Sequence, residues 1–384
     1  LRLNAAGLIR SGYHWHGQEK GLDFACLPIY LRSGRLCFCL SEHKENPVER
    51  KGKTFMRKYC CALAALLVLT VPGFGGPVAA SDPILIGISK IVSHPALDAI
   101  EKGIQEVVAA QYPGARFDLQ NANGEMSTAS SIAQKFKAQN VTLAIGIATP
   151  TAQALVNTLK DRPVIYSAVT DPVGAGLIGS THKGEKNVTG ISDMTPVKAQ
   201  IELLNRIKPL KTLGHVYSSS EANAVSLAAI ARQVCQEMGI KFVETTVSNS
   251  AEVKQAVQTI AGRVDGIYIS NDNTVVSALA AVASVADKYN IPVMSADPSS
   301  AETTPVLAAW GFDYYKMGKA TGRLVVRILQ GDKPETIPTI YMTDASDVDL
   351  LINLDVADDL GLSFPEDIID KANTIIEDGQ LIKK

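Results

Sequence analysis

Residues 143–152 read Leu143-Ala144-Ile145-Gly146-Ile147-Ala148-Thr149-Pro150-Thr151-Ala152. Leu143, Ala144, Ile145 and Ile147 form a short apolar run of the kind that makes a strand buried on both faces. Thr149 reads as a helix N-cap, and Pro150 is pre-set for the first helical turn. Ala152, Leu155 and Val156 then begin a helical stripe. A strand stopping at a helix start leaves free backbone N–H groups and a positive dipole end at the sheet's carboxyl edge. Such an edge suits a carboxylate or another anion; an ordinary strand-to-helix turn would carry the same residues.

Working outward toward the start, residues 1–55 show no sustained period of 2 or 3.6 and read as an unstructured extension upstream of a start at Met56. Cys37-Phe38-Cys39 is spaced too tightly for a zinc knuckle and has no second pair nearby. From Met56 the pattern is that of an export signal. Arg57 and Lys58 are basic, Ala62 to Val71 is apolar, and Pro72, Gly73 and Gly75 break the run. Val78-Ala79-Ala80 offers small residues for cleavage. The apolar run is too short to span a bilayer. A signal peptide over 56–80 therefore predicts a periplasmic product. After it only Cys235 remains, so no intrachain disulfide can form. The chain's formal net charge is −2, and no basic block of five or more follows residue 80, so nothing in the sequence suggests a nucleic-acid surface.

Past residue 82, buried-type strands alternate with amphipathic helices. Ile84–Ser89, Arg116–Asn121, Leu143–Ile147 and Pro163–Val169 are predicted strands, with helices between them. From Thr212 the pattern restarts: strands at 212–217, 241–246, 266–270 and 292–296 again enclose helices. Thr170-Asp171-Pro172 and Ala296-Asp297-Pro298 fall at matching places, as do Thr149-Pro150-Thr151 and Asn271-Asp272-Asn273. Further strands are predicted at 306–312, 337–342 and 350–353, and closing helices at 355–360 and 365–377. This alternation predicts an α/β fold of two doubly wound parallel-sheet lobes joined by a three-crossing hinge. Lobe 1 is expected over 82–193 plus about 305–334, and lobe 2 over 194–304 plus about 335–384, with crossings near Asp193, Thr304 and Pro334. Ligands of such sheets bind beyond the carboxyl ends of the strands.

Several segments resemble the substrate-binding proteins of one ABC importer family. They are Ile91-Val92-Ser93-His94-Pro95-Ala96-Leu97-Asp98, Gly146 to Pro150, Thr170 to Ala175, Asn187 to Gly190, Tyr217 to Glu221, and Asp272-Asn273-Thr274. The resemblance covers nearly all of 82–384 and none of 1–80. It implies a type I periplasmic binding fold closing on a small ligand. Characterised members bind aromatic amino acids, notably tryptophan. It also implies permease and ATPase subunits as partners, and no cofactor.

On this reading, Thr149 and Thr151 offer hydroxyls to a carboxylate, and Asp171 offers itself to an α-ammonium as a charge-assisted partner. Asp272 and Asn273 offer the same from lobe 2, with Asp297 at the place matching Asp171. Ser219, Ser220, Glu221 and Asn223 lie on lobe 2's first loop, and Ser93 and His94 on lobe 1's. Each also has a plainer reading as a cap or turn residue. No phosphate loop, dinucleotide glycine motif or nucleophile elbow occurs, and His94 has no nucleophile or carboxylate set beside it in sequence. The expectation is a monomeric, non-enzymatic, extracytoplasmic solute-binding protein for an amino acid, aromatic ones included. A sugar or nucleoside ligand, or a sensor of the same fold, is the alternative.

Overall fold

The computed structural model describes residues 84–384 and four short strands nearer the start. The chain divides into two compact units, 1–80 and 81–384. In the first, Phe24–Cys26 pairs antiparallel with Cys39–Ser41, and Ile29–Leu31 with Gly34–Leu36. The expected signal peptide, 56–80, lies outside the described residues, as does the rest of 1–55. No helix among the described residues is long and apolar enough to cross a membrane.

The second unit holds two α/β lobes. The six strands of lobe 1 run in the order Ile340–Tyr341, Val188–Ser192, Val164–Ser167, Leu143–Ile147, Leu85–Lys90 and Arg116–Asn121, all parallel. Leu143–Ile147 sits among them with every residue buried, as its unbroken apolar run requires. Ile86, Ile88, Leu143, Ile145 and Phe136 share the core between sheet and helices.

The eight-stranded sheet of lobe 2 is mixed rather than parallel. Strands Lys241–Val247, Thr212–Ser218, Gly266–Ile269, Val293–Ser295 and Ala308–Phe312 are parallel. Val348–Asn353 then pairs antiparallel with Ala308–Phe312. The expected helix at 365–377 ends at Lys371, and Thr374–Glu377 pairs antiparallel with Gln380–Lys383. The physical reason is the Asp378-Gly379 turn. Both residues have positive φ, 51° and 69°, the conformation of a two-residue hairpin loop.

The hinge has three crossings, two of them displaced from expectation. The first follows Val188–Ser192 at Asp193. The second lies at Asp313, not near Thr304, because Ala308–Phe312 is still a lobe 2 strand while helix Tyr314–Leu329 packs on helix Pro95–Gln111 of lobe 1. The third lies between Tyr341 and Val348, not near Pro334, because Ile340–Tyr341 pairs with Val188–Ser192 in lobe 1. Lobe 1 therefore takes 313–341, and lobe 2 takes 308–312 and 348–384.

The contact between Pro95–Gln111 and Tyr314–Leu329 is close because glycines meet there. A Cβ on Gly103 would lie 2.6 Å from the Tyr315 carbonyl oxygen and 2.8 Å from the Lys319 nitrogen, and one on Gly318 would press on Ile100 backbone. Alanine is the better helix former by about 1 kcal/mol. Gly103→Ala is nonetheless expected to destabilise the protein, by about 1–3 kcal/mol of overpacking. Urea denaturation measures it; a stabilised variant would show that the helices can move apart freely.

Candidate functional site

Three strand ends set up the site in lobe 1. Leu85–Lys90 leads through Ser93 to His94, the residue before helix Pro95–Gln111. Leu143–Ile147 leads directly into helix Thr149–Thr158 through Ala148, at φ 74° and ψ 158°. Val164–Ser167 leads into Ala168, at φ 54°. Two alanines with positive φ at neighbouring strand ends mark stored strain, of order 1–3 kcal/mol for a non-glycine residue in such regions. Ala148, not Thr149, is the N-cap of its helix. The backbone turns at the alanine, so the threonine already sits inside the first turn.

The lobes meet over a small polar cavity of about 20 Å³, room for about one water molecule. From lobe 1 it is lined by His94, Leu97, Ala168, Thr170 and, on the helix after the second crossing, Tyr314. Asp193 enters from the first crossing, and Asn223, Asn271, Asp272, Asn273, Val276 and Asp297 from lobe 2. His94 and Asp297 approach across the lobes, Nδ1 to Oδ2 3.7 Å. Helix Thr149–Thr158 lies against Ala222–Met238 of lobe 2, and Pro298–Ala301 against Pro95–Gln111.

Asp193 is the centre of this arrangement. Its carboxylate accepts from Thr170 Oγ1 at 2.9 Å, Asn271 Nδ2 at 3.0 Å and Tyr314 hydroxyl at 3.3 Å. One residue therefore ties lobe 1, lobe 2 and two of the three crossings. Burial pushes its carboxyl above the ordinary range, against those hydrogen bonds. Asp272 accepts from the Ser218 and Val275 backbone nitrogens at 2.5 and 3.0 Å. Burial first, and the Glu221 charge second, raise it to about 8. Asp297 caps Pro298–Ala301, accepting from Ser299 and Ser300.

Of the residues singled out from sequence, His94, Asn223, Asp272, Asn273 and Asp297 line the cavity. Glu221 is buried behind them, accepting from Asn273 Nδ2 (2.5 Å), Thr274 N (2.9 Å) and Thr274 Oγ1 (2.7 Å). It orders the lobe 2 loop rather than facing the cavity. Thr149 is buried with its hydroxyl unpartnered, yet it does not line the cavity. Thr151 donates back to the Ile147 and Ala148 carbonyls, a local helix-start role. Asp171 closes its own turn, accepting from Gly174 N at 2.8 Å, the turn role open to any Asp before Pro. Ser93 is exposed and donates to Asp98. Ser219 and Ser220 are exposed. Asp193, Thr170, Asn271 and Tyr314 were not among the sequence candidates. The one signal for them was a lone Asp and a lone Asn at strand ends.

Two hinged α/β lobes closing on a buried polar cavity define a cleft-type ligand-binding protein. The family model for ABC transporter substrate binding proteins matches residues 85–376, and the chain belongs to that family. A tyrosine-binding protein of Clostridioides difficile (strain R20291) is 35% identical over 275 residues, 70% of this chain and 79% of that one. The crystal structure of an ABC domain in complex with L-Trp from Streptococcus pneumonia superposes with a TM-score of 0.72 at 33% identity, covering 76% of this chain and 99% of that one. The ligand-free, open structure of a Clostridium difficile substrate binding protein with adhesive properties gives only 0.56 at 35% identity, covering 73% and 96%.

Proposed function

We propose that the protein captures an amino acid with an aromatic side chain outside the cytoplasm and delivers it to the permease and ATPase of an ABC importer. The observation that carries this is Asp193: a buried carboxylate at the hinge, held by both lobes, is placed to take an α-ammonium as the cleft shuts. Charge-assisted hydrogen bonds of this kind are about twice as strong as neutral ones. The tyrosine- and L-Trp-binding relatives support the ligand class. Leu97, Val276 and Tyr314 offer the apolar contacts for a ring. A cavity of about 20 Å³ cannot admit an amino acid as it stands, so entry requires the lobes to part. The ligand then favours closure by the difference between its contacts in the two states.

Removal of the 56–80 signal and action as a monomer belong to this reading. Chemistry on the ligand does not, since the family's named relatives bind rather than convert. A thermal-shift screen of amino acids, nucleosides and sugars tests it. L-Tyrosine or L-tryptophan is expected to raise the melting temperature, as about 2.7 kcal/mol of stabilisation at a hundredfold excess over Kd requires. A shift with a sugar alone would overturn the amino-acid reading.

A further inference from the structure

A second cavity lies outside the cleft, in lobe 2 and beside the hinge. Its volume is about 590 Å³, within the roughly 300–1,000 Å³ of small-molecule sites. Its floor is the sheet. Trp310 and Leu350 stand directly opposite each other in the antiparallel pair of Ala308–Phe312 and Val348–Asn353, so their side chains share one face. Two helices form its walls. Val197–Ile207 contributes Ala199, Glu202, Leu203 and Arg206, spaced three and four apart along one side. Glu366–Lys371 contributes Ile368 and Lys371. Ala345, in the third crossing, completes the rim toward the hinge. None of these residues belongs to the inter-lobe cavity.

The charges around this cavity set what fits it. Arg206 and Lys371 both lie against one carboxylate, Asp367, at 2.6 and 3.5 Å. Two cations on one anion leave a positive charge unmet. Asn373, also in the lining, accepts from Leu350 N at 3.0 Å through Oδ1, which makes the other end of its amide, Nδ2, a donor. Glu202 is exposed and enters none of the ion pairs among the described residues, so a negative charge is unmet as well. One unmet charge of each sign, an amide donor and an indole face match a zwitterion with an aromatic side chain. Its ammonium meets Glu202, its carboxylate meets Lys371 and Asn373, and its ring lies on Trp310. We propose that this cavity is a second, hinge-side site for a free aromatic amino acid. The proposal stands on this geometry and not on the reading of the cleft.

Equilibrium dialysis of the purified protein against L-tryptophan, up to about 1 mM free ligand, tests this with two variants, Glu202→Lys at the cavity and Asp193→Asn at the cleft. Glu202 is exposed, so reversing its charge leaves the fold intact. The wild type is expected to bind two molecules per chain. Glu202→Lys is expected to weaken one site at least tenfold and leave the other within twofold. Asp193→Asn is expected to spare the first site and weaken the second. At the site that Asp193→Asn spares, tryptamine and indole-3-propionate, which each lack one of the two charges, are expected to bind at least tenfold more weakly than L-tryptophan. A single wild-type site weakened by Asp193→Asn would overturn the inference and leave the amino-acid function standing. So would two sites that are both indifferent to Glu202→Lys, or either analogue binding within tenfold of L-tryptophan. A single site weakened by Glu202→Lys and not by Asp193→Asn would uphold the cavity and overturn capture in the cleft. No binding at all would overturn both.

Discussion

Asp193→Asn is expected to weaken amino-acid binding at least 100-fold while leaving the fold intact. The substitution keeps the side chain's shape and removes its charge. Truncating one partner of a buried, hydrogen-bonded charge pair costs about 2–5 kcal/mol, and 100-fold is about 2.7 kcal/mol at the lower end of that range. The amide also places a donor where Asn271 Nδ2 and the Tyr314 hydroxyl now donate, so the closed arrangement weakens too. A second readout separates this from misfolding. The folded-state pKa of Asp193 is raised above 3.8 by burial. Its contribution to stability is therefore full below about pH 4 and is lost as pH rises through the folded value. Relative to the variant, the wild type should lose stability as pH is raised above about 4. Calorimetric titration and urea denaturation at several pH values measure the two effects. Wild-type affinity in a folded Asp193→Asn protein would remove Asp193 from the site.

The contrast between Asp193 and Asp171 shows what the sequence makes legible. Asp171 stands in Thr-Asp-Pro after a predicted strand and matches Asp297 in the repeat, so local pattern marks it. Yet its carboxylate is spent on Gly174 within the same turn, while the equivalent Asp297 reaches the cavity. Asp193 follows an equally ordinary strand. Its partners Asn271 and Tyr314 lie 78 and 121 residues away, and only the folded hinge brings them together. The strands and helices themselves were legible because burial on two faces writes itself as unbroken apolar runs, as in Leu143–Ile147. The hinge positions were less so. Nothing local distinguishes Ala308–Phe312 as a lobe 2 strand, because its antiparallel partner Val348–Asn353 is distant in sequence. The Asp378-Gly379 pair carries a turn signal in the sequence, since Asp-Gly favours a two-residue hairpin, but the expected helix over 365–377 runs up to it and the hairpin is not among the expectations.

His215→Phe is expected to gain about 3 kcal/mol of stability relative to wild type between pH 7 and pH 4. His215 lies in strand Thr212–Ser218, fully buried, with Nδ1 2.7 Å from the Tyr268 carbonyl. That carbonyl can only accept, so the proton is on Nδ1, and Nε2 is left buried without a partner. The rings of Tyr217 and Tyr268 stack on it with centroids 5.5 and 5.6 Å away. Burial lowers its pKa from 6.5 to about 4, against the opposing pull of the Tyr268 hydrogen bond and the Glu244 charge. A folded pKa below the unfolded one gives stability that is present above about pH 6.5 and is lost as pH falls through the folded value. A shift of about 2.5 units, at 1.36 kcal/mol each, makes the loss about 3 kcal/mol. Asp272 acts in the opposite direction. Its raised carboxyl, at about 8, adds stability as the pH falls. The wild-type pH profile alone therefore mixes the two, and the difference between wild type and variant isolates the histidine. Phenylalanine preserves the ring stack and gives up the hydrogen bond to Tyr268, a loss independent of pH. Urea denaturation of both proteins at pH 7, 5.5 and 4 gives the difference directly. A difference that stays constant across that range would mean that His215 takes up its proton in the folded state as readily as in the unfolded one.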